Sequence, residues 1–272
     1  MKSVRNFESN TTGLRKRACF LFCDSMLVMS KGKDAWNTKE NAEAYDAYAR
    51  NFPMYQDTSR DLVAISGIKL GMTVVDLAAG TGTTTQAILD KTNGNVCIIA
   101  VDQAEEMLKK AREKFVGQSV QFIVSEAEDL DTAIRESVDT ILCNSAFWQM
   151  KAQKVFRSVS HILKPDGVFA FNLPDHFFSY PDFQTQPRTP SPYNLDNLVS
   201  WGKEVGLTLV TKSVETYSKS ADEMIAFNEI PVMKRNFKTE DDRKKYIAAL
   251  QESRTENTLK RRQWVYFVFQ KR

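Results

Sequence analysis

From residue 71 onward the apolar positions fall in short dense runs, each followed by a stretch whose apolar residues recur at helical spacing. "GMTVVDLA" is the first strong strand, and a helix at 83–89 follows it. The alternation continues with strand 95–101, helix 104–115, strand 120–124, helix 132–136, strand 140–144, helix 152–162 and strand 167–173. This spacing predicts an α/β fold, with a mostly parallel sheet covered on both faces. Upstream, the chain is helical in composition to residue 50, pauses at Pro53 and resumes over 57–65. Residues 174–194 hold five prolines and several aromatics, which predicts an ordered lid longer than an ordinary connection. A helix at 195–205 and the strand "LTLVTKSVETY" come next, then a charge-rich, largely helical insertion at 221–260 and a last strand, "QWVYFVF". These two late strands are expected to form an antiparallel pair. Residues 1–35 lack sustained periodicity beyond a short helix around 19–29, so they read as an N-terminal extension. One domain is expected over 36–272, with cap insertions at 174–194 and 221–260.

Composition narrows the possibilities. A chain of 272 residues with 42% hydrophobic and 26% charged positions can bury a full core. The longest early apolar run, "ACFLFCDSMLVM", is broken by Asp24 and falls short of the roughly 18 to 20 residues that cross a bilayer. Neither membrane insertion nor a secretory leader is expected. Cys19, Cys23, Cys97 and Cys143 lack the close pairing of a zinc site, and two histidines give a metal centre little to use. No metal is expected. Cys97 and Cys143 lie in apolar runs and read as buried free thiols of a reducing, cytoplasmic compartment. Charge is unevenly spread: residues 1–39 carry eight Lys/Arg against three Asp/Glu, and the remainder 29 against 31, a balance of −2. Such a body gives no electrostatic footprint for nucleic acid, and "RKR" at 15–17 reads as a solvated terminus. A monomer or a homodimer fits equally well.

The stretch "VVDLAAGTGTTTQAIL" runs from strand through a glycine turn into a helix. Gly80 and Gly82 permit the tight turn, and the free N–H groups of the next helix face the crevice at the strand ends. A nucleotide-like ligand suits this arrangement. The missing "GK[ST]" excludes a P-loop, and the glycines are not spaced as GxGxxG. Asp102, ending the second strand, is placed to take both hydroxyls of a ribose. These residues alone leave a dinucleotide and other nucleoside ligands open.

"VVDLAAGTG" resembles motif I of the class I S-adenosylmethionine-dependent methyltransferases, and "IIAVDQAEEMLKKA" resembles that family's ribose-binding motif. "FIVSEAEDL", "VDTILCNSAFWQM" and "ILKPDGVFAFNLP" follow in the family's order and at its spacing. The resemblance covers roughly residues 40–173 and implies a Rossmann-like sheet of seven strands that binds S-adenosyl-L-methionine. Carried over by position, it implies that Asp76, Ala79, Gly80 and Gly82 support the methionine portion of the cofactor. Ala78 stands where the first glycine of the family triplet is common. Asp102 would hold the ribose, Gln103 and Met107 the adenine, Glu126 and Ala127 the adenine edge, and Asn144 and Ser145 the methionine end. Tyr45 and Tyr55 match positions on an N-terminal helical flap over the cofactor.

Methyl transfer from a sulfonium is an in-line displacement, so the protein's work is to align the acceptor and exclude water. A base is required only where the acceptor must lose a proton. His176, directly after the fifth strand, is the candidate base, and Phe147, Trp148, His176, Tyr180 and Tyr193 are expected to form the acceptor pocket. "NSAFWQM" takes the place of the "NPPY"-like tetrapeptide common among base-methylating and amide-methylating members. With the body charge and the apolar lid, this favours a small-molecule acceptor over nucleic acid, the alternatives being a nucleic-acid methyltransferase and a non-catalytic binding protein on the same fold.

Overall fold

The computed structural model describes residues 35–175, 191–254 and 260–272. Seven strands form one sheet in the order β3-β2-β1-β4-β5-β7-β6. They are β1 (Thr73–Leu77), β2 (Cys97–Asp102), β3 (Val120–Val124), β4 (Val138–Cys143), β5 (Leu163–Pro174), β6 (Leu207–Lys219) and β7 (Lys260–Lys271). β1 to β5 are parallel, and β7 enters antiparallel between β5 and β6. The parallel strands therefore end on one edge, where the order reverses between β1 and β4 and a crevice opens.

Two helices precede the sheet, α1 (Lys39–Asn51) and α2 (Met54–Ile65). Thr38 caps α1 by accepting from the Asn41 N–H. Between strands come α3 (Thr83–Thr92), α4 (Glu105–Lys114), α5 (Leu130–Ala133) and α6 (Ala152–Ile162). After β5 lies α7 (Leu195–Glu204), and between β6 and β7 lie α8 (Ala221–Glu229), α9 (Pro231–Lys234) and α10 (Glu240–Arg254). The helix expected at 132–136 sits slightly earlier, because a 3₁₀ turn at Ala127–Asp129 leads into it and Leu130 is wholly buried.

Alternate strand residues supply two cores. Val75, Ile141, Phe171 and Phe269 face α6 and α7, where Phe156 meets Phe269 edge-on with centroids 5.1 Å apart. Val74, Ile98, Leu142 and Tyr266 face α2, α3 and the α8 segment. Cys143 is buried, with its thiol pKa raised by burial. Cys97 corrects the expectation of a buried thiol: it opens β2 and is exposed, because the apolar run contributes burial only from Ile98 onward. No helix among the described residues is long and apolar enough to cross a membrane.

Candidate active site

A cavity of about 480 Å³ lies over the carboxyl ends of β1 to β4. Its floor begins with Leu77, Ala78 and Gly80. Ala78 and Gly80 both take left-handed backbone, at φ of 57° and 56°. That conformation costs an alanine on the order of 1 kcal/mol, so the departure from the family's glycine is accommodated with strain. Gly80 carries the Tyr45 ring above it, 3.8 Å from where a Cβ would stand.

Asp102 links this turn to the next strand. Its Oδ2 accepts from Gly80 N and its Oδ1 from Ala104 N, both at 2.8 Å. Burial pushes its carboxyl up, and these backbone donors oppose the shift. Gln103, Met107, Glu126 and Ala127 continue the wall toward β3, and Asn144, Ser145 and Trp148 close it beyond β4. Tyr45 and Tyr55, from α1 and α2, cover it with ring centroids 5.8 Å apart. Burial, with Asp102, Asp76 and Asp46 nearby, raises the Tyr45 hydroxyl well above its ordinary pKa.

Other sequence-predicted residues lie behind the wall. Asp76 is buried beneath the turn, where its Oδ2 accepts from Thr85 Oγ1 at 2.6 Å. Burial raises its pKa to about 7 against the stabilising bonds from Thr85. Ala79 is buried without lining the cavity. Gly82 caps α3 at φ 90°, and a Cβ there would lie 2.3 Å from the Phe115 ring, so its need is helix packing.

Phe147 and Tyr193 correct the expected acceptor wall. Phe147 stacks on Phe171 at 4.1 Å and is wholly buried in the core. The Tyr193 hydroxyl donates to Met150 O at 3.0 Å, drawing the ring inward, and its pKa is pushed up to about 12, chiefly by burial. His176 and Tyr180 lie outside the described residues.

Sequence reasoning missed Trp36, Met150, Lys151, Phe227 and Met233, all of which line the cavity. Phe227 and Met233 arrive on α8 and α9, so the 221–260 insertion does reach the cavity. Behind Phe227, the Lys219 ammonium lies 5.1 Å from that ring's centroid and 5.9 Å from the Tyr55 centroid. It stands 3.9 Å from Glu223, which accepts from the Tyr48 hydroxyl at 3.0 Å. Burial lowers the Lys219 pKa to about 8, against the attraction of Glu223.

Comparison with known proteins matches a family model described as a methyltransferase domain to residues 68–230. Malonyl-[acyl-carrier protein] O-methyltransferase 2 of Coxiella burnetii is 26% identical over 181 residues, which are 65% of this chain and 71% of that protein. Trans-aconitate 2-methyltransferase of Acidovorax sp. is 32% identical over 104 residues, 38% of each chain. The chain spans only 40 to 54% of the length of three other curated relatives. In fold, it resembles phosphoethanolamine N-methyltransferase 2 of Haemonchus contortus with a TM-score of 0.59 at 16% identity, covering 87% of this chain and 58% of that one. The strand order, the glycine turn with its acidic neighbour, and a family match across more than half the sequence agree: the chain belongs to the class I S-adenosylmethionine-dependent methyltransferase family.

Proposed function

We propose that this protein transfers the methyl group of S-adenosylmethionine to a small-molecule acceptor. The observation that carries the reading is the division of one cavity into a polar half and an aromatic half. Asp102, Gln103 and Glu126 stand at the ends of β2 and β3, where a nucleoside would meet a carboxylate and an amide. Tyr45 stands over Gly80 and covers the polar half, and Tyr55, Trp148 and Phe227 line the rest, whose aromatic rings favour a sulfonium and shed water. The cavity volume of about 480 Å³ lies within the range of small-molecule sites.

In this proposal Asp102 holds the ribose, Glu126 and Ala127 the adenine edge, and Gly80, Asn144 and Ser145 the methionine end. Asp76 supports the turn from below. When bound, the cofactor supplies an electrophilic methyl group, and the chain's part is to align the acceptor behind it. His176, two residues beyond β5, is given proton removal where the acceptor requires it. Residues 36–272 are taken as one domain, with 174–194 and 221–260 as its cap. Relatives are named for malonyl-[acyl-carrier protein], trans-aconitate and ubiquinone or menaquinone biosynthesis, which supports a small acceptor.

Calorimetric titration with S-adenosylmethionine, S-adenosylhomocysteine and NADH, repeated with Asp102→Ala, tests the reading. Binding of the first two, weakened about a hundredfold in the variant, is the expected result, since hydrogen bonds to a charged group are each worth about 1.5 to 3 kcal/mol. Binding of NADH alone would transfer the site to a dinucleotide.

A further inference from the structure

We infer that Asn172, which does not line the cavity, is the positioning residue that holds Asn144 and Ser145 in the shape that binds the cofactor; the inference rests on the methyl-donor reading above. Asn172 lies on β5, wholly buried, next to the end of β4. Ser145, the second residue after β4, takes left-handed backbone at φ 57°, a conformation that a serine holds only when its surroundings fix it. The fixing contact is its own N–H, which donates to Asn172 Oδ1 at 2.8 Å.

That bond also settles the orientation of a row of amides. A backbone N–H can only donate, so the Asn172 oxygen must face Ser145 and its nitrogen must face the other way. There Nδ2 donates to Asn144 Oδ1 at 2.7 Å. With its oxygen committed, Asn144 turns Nδ2 toward α2 and donates to Thr58 Oγ1 at 3.2 Å and Ser59 Oγ at 3.0 Å. The same helix carries Tyr55 into the cavity. One buried amide thus sets the peptide at the end of β4, the rotamer of Asn144 and the seating of the helix above them. An apolar side chain at 172 would remove the acceptor that holds Ser145 and let the Asn144 amide turn over.

The test is titration of the full chain with S-adenosylhomocysteine for wild type, Asn172→Leu and the control Thr92→Val. Thr92 is also buried, and its hydroxyl donates to Ile88 O away from the cavity. Loss of two buried hydrogen bonds predicts at least about a tenfold rise in Kd for Asn172→Leu. Thr92→Val should bind as wild type does even where its thermal midpoint falls as far. Amide hydrogen exchange at Ser145 should accelerate in Asn172→Leu while β1 to β3 keep their protection, a local change that general destabilisation does not produce. Should Asn172→Leu fail to fold, Asn172→Ser, whose hydroxyl is too short to reach both partners, is titrated against the same criterion. Wild-type binding with the variant within twofold overturns this inference alone. Failure of the wild-type chain to bind overturns the methyl-donor reading and this inference with it.

Discussion

Around the end of β1 the cavity wall is mostly backbone, with Ala78 and Gly80 in left-handed conformation and Asp102 tied to amides of the two neighbouring turns. Across the cavity it is mostly rings, brought together from distant parts of the chain. Tyr48 and Glu223, which join α1 to α8 behind that wall, are 175 residues apart. The first half is specified by one short stretch, so a change there acts on the peptide itself. The second is specified by packing among α1, α2 and α8, so a change there acts through the docking of helices.

Substituting the turn should break the first half most severely. Gly82→Ala adds a Cβ that meets the Phe115 ring and forces alanine into a left-handed conformation. Overpacking and backbone strain together should cost about 4 kcal/mol, read by urea denaturation. Phe227→Ala attacks the other half and should cost about 3 kcal/mol by leaving a cavity among Tyr48, Tyr55 and α8. Its local signature is faster amide exchange across α8 and α9 with unchanged exchange across β1 to β3.

The two halves should also answer pH in opposite directions. Asp76 has its pKa raised from 3.8 to about 7, so the folded state keeps a proton that the unfolded chain releases. Stability therefore falls as pH rises through that window. Lys219 has its pKa lowered from 10.5 to about 8, so in that window the unfolded chain binds the extra proton and stability rises with pH. Across its window each change should amount to about 3 to 4 kcal/mol at about 1.36 kcal/mol per pKa unit. Asp76→Asn should remove the acid slope and Lys219→Met the alkaline one, as measured by thermal midpoints between pH 4 and 10.5. The smallest effect is expected at Ala78→Gly, where relief of left-handed strain is offset by a more flexible unfolded chain. Its net gain should be at most about 1 kcal/mol, read by urea denaturation.

The same contrast explains what could be read from the sequence. Strand and helix alternation is local, and β3 and α6 fall where the periodicity put them. The turn and its acid were also legible, because a strand end, two glycines and a following strand end need only short-range spacing. The aromatic residues after β4 carried less of this information. "AFW" placed Phe147 and Trp148 side by side, yet one ring is sealed against Phe171 and the other lines the cavity. Tyr193 read as rim because the prolines around it read as lid, whereas its hydroxyl finds backbone carbonyls inside. Phe227 and Met233 could not be anticipated, since their place depends on how α8 and α9 fold back onto α1. The Val232 N–H donates to Asn41 Oδ1 at 2.8 Å, a bond between residues 191 apart.

The helices α8 to α10 occupy the tip of a hairpin, since β6 and β7 pair along their length down to Lys219 opposite Lys260. A segment entered and left at one ladder rung can be lengthened, shortened or exchanged with little disturbance to the strands that hold it. The entropy of closing such a loop grows only with the logarithm of its length, about 0.6 kcal/mol for each doubling. Because this loop delivers Phe227 and Met233 to the cavity, the cavity wall can be changed by replacing a cassette while the turn after β1 stays as it is, which on the proposed reading would alter the choice of acceptor without touching the donor's residues.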